Sequence, residues 1–282
     1  MKNSTRTWYF LTFISIALIL GGHALNGRPG LLWGVGLAAL LNTLVYFYSD
    51  LKLDKIFRGR IVDGQDPWGL IEMTRQMSSK ARIEIPLVVI LNVPGYQAFA
   101  TGKSTSHNKI FVTEDLLKNF DKEELQAVIA YLVANIKNQD TISFGVASLL
   151  SGVILSTSLF LDKKFSWIFS SNLYKKVSQS QGGILTWLLA PLASVIVRIS
   201  ISRENYFKTD ALAVSWLDNP KAYARALWKL ESYTQTMPIR VPLDTAHMFI
   251  VNPLTKNAKT RYFRIQPNTE KRIKRLIGYF PI

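Results

Sequence analysis

Four long apolar runs dominate the pattern of hydrophobic and polar positions along this chain. They are WYFLTFISIALILGGHAL, GLLWGVGLAALLNTLVYFY, FGVASLLSGVILSTSLFL and ILTWLLAPLASVIVRISI, at residues 8–25, 30–48, 144–161 and 184–201. A bilayer needs about 20 apolar residues per helix, so each run predicts a membrane span. Lys2 and Arg6 precede the first run, which places the N-terminus on the cytoplasmic side. A second run follows at once and no cleavage site of small residues intervenes, so the first span is expected to stay uncleaved.

The polar segments between the spans carry signals of a folded domain. The stretch LVVIL at Leu87–Leu91 is β-branched and predicts a buried strand, and residues 97–113 predict a hairpin around 102–108. Asp121 with Glu124 three residues later predicts a capped helix start. The helix that follows has a 3.6-residue apolar rhythm, carried by Leu125, Val128, Ile129, Leu132, Val133 and Ile136. A further helical stretch at residues 211–231 is interrupted by Asn219-Pro220.

Several motifs in these segments occur together in one known family. They read QAFATG, VTEDLL, ELQAVIAYLVANIKNQD, SRENYFKTD, AHMFIVNPL and QPNTEKRIKRL, starting at residues 97, 112, 124, 202, 246 and 266. In these motifs the chain resembles the HtpX family of membrane zinc metalloproteases, relatives of the CAAX prenyl proteases. The resemblance implies a mainly α membrane protein with about four transmembrane helices. It also implies a cytoplasmic α+β metalloprotease-like domain with a small β-sheet or hairpin.

The expected domains alternate between membrane and cytoplasm. Residues 1–49 are predicted to form two transmembrane helices, and 50–142 the first half of the protease-like domain. Residues 143–201 are predicted to form spans three and four, and 202–282 the second half of the domain. The protein is accordingly expected in the inner (plasma) membrane, multi-pass, with both termini and the soluble domain in the cytoplasm.

The resemblance fails at the residues that bind zinc in that family. Its His-Glu-x-x-His motif is replaced by Tyr131-Leu132-Val133-Ala134-Asn135. A catalytic zinc needs two imidazoles one helical turn apart and a carboxylate base, which this sequence does not supply there. The family's third ligand, a Glu, is replaced by Tyr206, while Glu204 lies two positions early and should point elsewhere. A family histidine is likewise replaced by Gln266.

These substitutions lead to a functional hypothesis and an alternative. The first is a catalytically inactive pseudoprotease, hence not an enzyme, without metal or cofactor, that acts as a binding, assembly or regulatory subunit for membrane proteins. The alternative is a membrane-bound peptidase with a rebuilt or non-zinc site. Its candidates are Tyr131 or Tyr206 with His247 as the base, or Asp140 with Asp210 as a carboxylate pair.

The predicted hairpin holds the candidate peptide-binding residues. In the family, the matching strand is the edge on which a substrate peptide is laid by main-chain pairing. The residues concerned here are Gln97, Ala98, Phe99, Ala100 and Thr101. The other interpretation is an ordinary hairpin whose edge is covered by a loop.

Amino-acid composition and net charge limit the kinds of site and partner expected for this chain. The chain has no cysteine and three histidines, His23, His107 and His247, far apart in sequence, which argues against a thiol nucleophile or a histidine-rich metal site. Its formal net charge is +15, and residues 198–282 hold fifteen Lys and Arg against six acids. Such a segment beside membrane spans is expected to lie against anionic lipids. No recognition motif for nucleic acid accompanies the charge, so the expected partners are membrane lipids and another membrane protein or complex.

Overall fold

The computed structural model describes residues 4–102, 108–165, 183–239, 241–254 and 260–278. Most of these residues are helical. The helices are α1 (Ser4–Ile56), α2 (Leu70–Ala81), α3 (Glu114–Asn119), α4 (Lys122–Lys137), α5 (Asp140–Phe165), α6 (Ile184–Ser200), α7 (Arg203–Val214), α8 (Pro220–Thr236) and α9 (Thr269–Ile277). Two short 3-10 helices occupy Leu243–Met248 and Thr260–Phe263.

The long helix α1 consists of two arms that fold back on each other. The backbone leaves helical geometry at Asn26 and Gly27, and the φ of 56° at Gly27 is one that glycine adopts without strain. Beyond this turn Gly30 returns to Gly22, where a Cβ on either glycine would collide with the backbone of the other. Further along, the Asn42 side chain donates to the Ser15 hydroxyl at 2.9 Å. The two arms correspond to the first two predicted runs.

Membrane-spanning length is met by fewer continuous helices than the sequence predicts. Among the described residues, two helical stretches are long and apolar enough to cross a bilayer, Thr7–Val45 and Asp140–Lys164. Residues 185–200 qualify only together with α7, across a bend of 46°. The protein is therefore a membrane protein by helix length and composition, but the count of four spans is not confirmed. Helix α5 begins at Asp140, three residues before the predicted domain boundary.

The membrane-type helices pack into one group. Leu11 and Val45, from the two arms of α1, pack with Val146 and Leu150 of α5. At one end of this contact the Thr7 hydroxyl donates to the Ser143 hydroxyl at 2.8 Å, both residues being buried. Hydroxyl pairing between buried helices satisfies groups that would otherwise lie unpaired in an apolar interior.

A four-stranded mixed sheet supports the soluble part. Its strands are β1 (Arg60–Ile61), β2 (Leu87–Leu91), β3 (Ala98–Thr101) and β4 (Lys109–Thr113), in the order β1-β2-β4-β3. Strand β2 is parallel to β4, whereas β3 is antiparallel to it, with Phe99 opposite Phe111. The predicted strand at Leu87–Leu91 and the two antiparallel strands of the predicted hairpin are confirmed, whereas the hairpin's turn at residues 103–107 lies outside the described residues. Strand β3 lies at one edge of the sheet.

Helix α4 lies in the centre of the soluble core. The Asp121 carboxylate accepts from the Glu124 amide at 2.8 Å, and the Glu124 carboxylate accepts from the Asp121 amide at 3.0 Å. This reciprocal capping box confirms the predicted helix start. From Leu125 to Ile136 apolar side chains of α4 pack in one cluster with α2, the sheet and α8. Helix α8 begins at Pro220 with Asn219 as its N-cap, as the sequence predicts.

Candidate functional site

The residues that replace the family's metal ligands lie inside the protein. Tyr131, Leu132 and Asn135 are on α4, and each is at most 1% exposed. Tyr206, on α7, is also 1% exposed. Because positions i and i+4 lie one above the other on a helix, Tyr131 and Asn135 present their side chains on the same face of α4. The structure therefore buries all four predicted site positions in the core.

Tyr206 is fixed by contacts with two neighbouring segments. Its hydroxyl donates to the backbone carbonyl of His247 at 2.8 Å. Its ring stacks on Phe144, with the ring centroids 6.0 Å apart. The His247 ring lies edge-on to the same phenylalanine, and its Nε2 is 3.1 Å from the Phe144 carbonyl oxygen. The Tyr206 hydroxyl therefore bonds to the backbone of His247. A tyrosine–histidine catalytic pair would instead require a bond to the imidazole.

Tyr131 lies against a buried ion pair. The Arg272 guanidinium is 5.2 Å from the centre of the Tyr131 ring, within the range of a cation–π contact. Arg272 donates to both oxygens of Asp210, at 2.8 and 2.6 Å, and to the Ile250 carbonyl at 2.6 Å. The Tyr223 hydroxyl also donates to Asp210, at 2.5 Å. Asp210 is thus fully used in holding α7, α8 and α9 together.

The second carboxylate of the alternative hypothesis, Asp140, belongs to a different set of contacts. It accepts from the Thr209 hydroxyl at 2.7 Å, and that hydroxyl accepts from the Asn138 amide at 2.9 Å. These bonds join the end of α4 and the start of α5 to α7. Each aspartate therefore has its own hydrogen-bond partners. None of the bonds described above joins the two carboxylates.

Burial determines the protonation state of the tyrosines at the metal-ligand positions. Desolvation raises the pKa of both Tyr131 and Tyr206 above the ordinary value for a phenol, so both remain neutral at physiological pH. Two neutral phenols and the Asn135 amide do not fit a catalytic zinc, which takes imidazole, thiolate or carboxylate ligands. Within the described ranges, no three His, Cys, Asp or Glu side chains come together in an arrangement that could hold a metal ion.

Two further side chains, Glu204 and Gln266, complete the geometry. The Glu204 carboxylate is on the surface and pairs with Arg275 at 2.8 Å, which confirms that it points away from Tyr206. The Gln266 amide donates to the carbonyls of Ala246 and Phe249, at 3.1 and 2.9 Å. A side-chain amide therefore holds this segment at the position where the resemblance expects a histidine.

The candidate peptide-binding residues, Gln97 to Thr101, are all buried. The Gln97 amide donates to the Thr234 hydroxyl at 2.7 Å, which links this end of the hairpin to α8. On the outer edge of β3, the Ile250 amide donates to the Ala98 carbonyl at 3.2 Å, and Phe99 forms an isolated antiparallel bridge with Phe249. The chain's own segment therefore covers part of the edge on which a peptide was expected to pair.

Sequence reasoning named Asp210 and Arg272 but did not connect them. They are 62 residues apart; Asp210 was a candidate only as the partner of Asp140, and Arg272 stood only as a letter of the motif that starts at residue 266. Tyr223 carried no signal beyond aromatic character, and Phe249 stood only as a letter of the motif that starts at residue 246. Asp210 and Arg272 both lie in segments that carry many other charges, so the sequence did not mark these two as the buried pair.

Tyr206→Phe tests whether the buried hydroxyl stabilises the fold. We expect the variant to lower the free energy of unfolding by about 1–2 kcal/mol, because the buried His247 carbonyl loses its donor. The measurement is urea denaturation of the full chain in mild detergent, followed by tryptophan fluorescence. Tyr262→Phe, at a residue that is 43% exposed, is the matched control and should change stability by less than about 0.5 kcal/mol. Equal stability of both variants would contradict a structural role for the Tyr206 hydroxyl.

The chain is similar to known proteins over its whole length. The model of peptidase family M48 matches residues 69–279. A protease HtpX homolog from Desulfatibacillum aliphaticivorans is 32% identical, over 100% of this chain and 91% of that protein. Another, from Acaryochloris marina, is 32% identical, over 98% of this chain and 94% of that protein. The crystal structure of S. mikatae Ste24p aligns with a TM-score of 0.41 at 13% identity over 97% of this chain, which spans 64% of the length of that protein.

These comparisons correct one prediction, that the chain is not an enzyme. The matching family is a peptidase family and the curated relatives are named proteases, so the family evidence points to an enzyme class. The prediction was wrong because it was drawn from a few substituted side chains. Those side chains determine whether one site can bind zinc, whereas enzymatic activity is a property of the whole protein. The family model and the full-length relatives agree with the resemblance in the motifs, and the chain belongs to peptidase family M48, as an HtpX-type member.

Proposed function

We propose that this chain acts in the membrane as a subunit that binds, assembles or regulates other membrane proteins. The observation that carries the proposal is how the metal-ligand positions of the family are filled. Tyr206 bonds to the His247 backbone, and Tyr131 lies on Arg272. The chain's own side chains thus join α4 to α9, and α7 to the 3-10 helix Leu243–Met248, where the resemblance expects an ion. This supports a function in which the fold serves as a scaffold for binding.

The outer edge of β3 is the surface we assign to a client polypeptide. Ala98 already accepts a hydrogen bond there from Ile250, and Phe99 bridges Phe249. These contacts are those of an antiparallel partner strand, but they cover only a short part of the edge. A client segment would replace the segment at residues 249–250 and pair with the backbone of Ala98–Thr101.

The membrane arrangement we propose has four spans. The two arms of α1 supply the first two, and α5 and α6 supply the others. Lys2 and Arg6 lie before the first apolar run, and the basic segment at 198–282 begins at the end of the last span. An excess of basic residues marks the cytoplasmic side, so we place both termini and the soluble domain in the cytoplasm, on the inner membrane.

A second candidate function is a membrane-bound peptidase that uses a rebuilt or non-zinc site. The names of the relatives favour it, because they are proteases and this chain covers 91% of the Desulfatibacillum protein. In the structure Asp210 is bound by Arg272 and Tyr223, and Asp140 by Thr209. A site built from these residues therefore needs a rearrangement of buried contacts when substrate binds.

One experiment separates the two candidates. The full chain is purified in mild detergent without a metal-binding tag, and three quantities are measured: zinc per chain, cleavage of a peptide panel with and without chelator, and membrane proteins that copurify in fixed stoichiometry. The binding function predicts such a partner, recovered at full length, and slower amide hydrogen exchange in β3 when it is bound. Amides of the interior strand β2 are the control and should not change. Cleavage of the panel, or zinc near one per chain, would favour the peptidase.

A further inference from the structure

A large groove opens where the last membrane-type helix meets the soluble part. It has a volume of about 1080 Å3 and lies between the end of α6, α7, α8 and the start of α9. Five basic residues line it: Arg272, which pairs with Asp210, and four others, Arg198, Arg203, Arg264 and Lys271. We refer to this feature, defined by these four residues, as the basic groove.

The positive charge of the basic groove is not balanced by the acids that line it. The Glu231 carboxylate accepts from the Thr269 hydroxyl at 3.0 Å and from Gln235 at 2.8 Å, and Glu270 pairs with Lys274 at 2.6 Å. Lys274 therefore neutralises Glu270, whereas Glu231 keeps its charge because its partners are neutral. One unpaired carboxylate against the four cations leaves the groove positive.

The cations, in contrast, have capacity left. Arg198 donates to a neutral acceptor, the Tyr262 carbonyl, at 3.3 Å. Within the ranges that the structure describes, Arg203 and Arg264 form no hydrogen bond or ion pair through their guanidinium groups. A guanidinium group has five N–H donors in a fork that matches phosphate oxygens, so these two side chains can receive an anion.

The position of the groove relative to the membrane limits what that anion is. Arg198 is in the last turn of α6, and α7 begins at Arg203. With a rise of about 1.5 Å per helical residue, the first turns of α7 lie within about 10 Å of the end of α6. Trp228 lines the groove and is 50% exposed. Tryptophan is enriched at the level of lipid headgroups, so the groove has the composition of an interfacial site.

We propose that the basic groove binds the phosphate headgroup of an anionic phospholipid. The phosphodiester oxygens accept hydrogen bonds from Arg203 and Arg264, and Arg198 at the end of α6 adds charge while the acyl chains stay in the bilayer. Free phosphate shares this chemistry, but the continuity of the groove with α6 assigns the site to lipid. This inference goes beyond the proposed function and does not depend on it.

The test measures lipid binding to the full chain in neutral detergent micelles. Acyl-labelled phosphatidylglycerol is titrated by fluorescence anisotropy, with unlabelled phosphatidylcholine, inorganic phosphate and hexaglutamate as competitors. We expect Arg203→Gln/Arg264→Gln to weaken binding about twentyfold, since each cation near a membrane surface contributes roughly a fivefold factor. Arg203→Lys/Arg264→Lys keeps the charge and should recover most of the affinity. Lys122→Gln/Lys221→Gln removes two exposed charges elsewhere and should change affinity less than about twofold.

Several outcomes would overturn the inference. Equal weakening by the control pair would show that binding follows net charge and not the groove. Equal affinity for phosphatidylcholine would exclude recognition of an anionic headgroup. Displacement of the lipid by inorganic phosphate at the same concentration would assign the groove to a free anion, and tighter binding of hexaglutamate would assign it to an acidic polypeptide.

A folding control accompanies the binding measurements. An unchanged circular dichroism spectrum and unfolding midpoint would show that the double variant is folded.

Discussion

Arg272→Met is expected to lower the free energy of unfolding by about 3–5 kcal/mol, because it breaks a buried ion pair. Arg272 and Asp210 are each 1% exposed, and the guanidinium meets both carboxylate oxygens. Without Arg272, Asp210 becomes a buried charge with only the Tyr223 hydroxyl as a partner. The substitution also leaves the Ile250 carbonyl without its donor and removes the cation that lies on Tyr131.

The same helix offers a matched control. Arg275 pairs with Glu204 on the surface, where both side chains are about half exposed, so Arg275→Met should leave the free energy of unfolding nearly unchanged. Urea denaturation of the full chain in mild detergent, followed by tryptophan fluorescence and circular dichroism, gives both values. The double variant Asp210→Asn/Arg272→Met removes both buried charges and should recover part of the loss. If the two arginine variants were equally stable, the buried ion pair would not be a main contributor to stability.

The second large effect is expected at Phe99. This side chain is fully buried, stacks on Phe111 with centroids 4.7 Å apart, and contacts Phe57 and Phe249 at 4.7 and 4.9 Å. It therefore joins the edge of the sheet to the end of α1 and to the segment that covers β3. Phe99→Ala should cost about 3–5 kcal/mol, because it removes buried apolar surface and leaves a cavity among three rings.

Leu87→Ala is the control for this prediction. Leu87 is in the same sheet but 51% exposed, and its truncation should cost less than about 1 kcal/mol. Denaturation under the same conditions compares the two variants. Amide hydrogen exchange adds a second measurement, since Phe99→Ala should also speed exchange at Ile250, whose amide bonds to Ala98. A loss below about 1 kcal/mol for Phe99→Ala would mean that the aromatic cluster does not support the sheet.

Local elements were readable from the sequence because their causes are local. The capping box of Asp121 and Glu124 acts between residues three apart, and the apolar rhythm of α4 repeats within each turn. The strand at Leu87–Leu91 and the restart of the helix at Pro220 follow from β-branched residues and from proline geometry. The motifs also indicated the family. Matching them to the family's pattern located Tyr131, Asn135 and Tyr206, and the helical repeat showed that Tyr131 and Asn135 share a face.

Contacts between distant segments could not be read in this way. Nothing in a one-dimensional pattern indicates that the Tyr206 hydroxyl would reach the His247 carbonyl, 41 residues later, instead of the imidazole. The two apolar runs predict a turn between residues 25 and 30, but they do not indicate that Asn42 would bond to Ser15 across the two arms of α1. The number of membrane spans depends on how the helices bend. Composition alone predicted four spans, a number that the structure does not confirm.

The sequence by itself determined the family, the apolar helices that make this a membrane protein, and the side chains at the metal-ligand positions, since all three depend on residue identity and short-range spacing. The tertiary structure alone decided that Arg272 pairs with Asp210 beneath Tyr131, and that residues 249–250 cover the edge of β3. The physical reason is that a buried charge or an open strand edge must find a partner, and packing of the whole chain selects which of many candidates lies within reach.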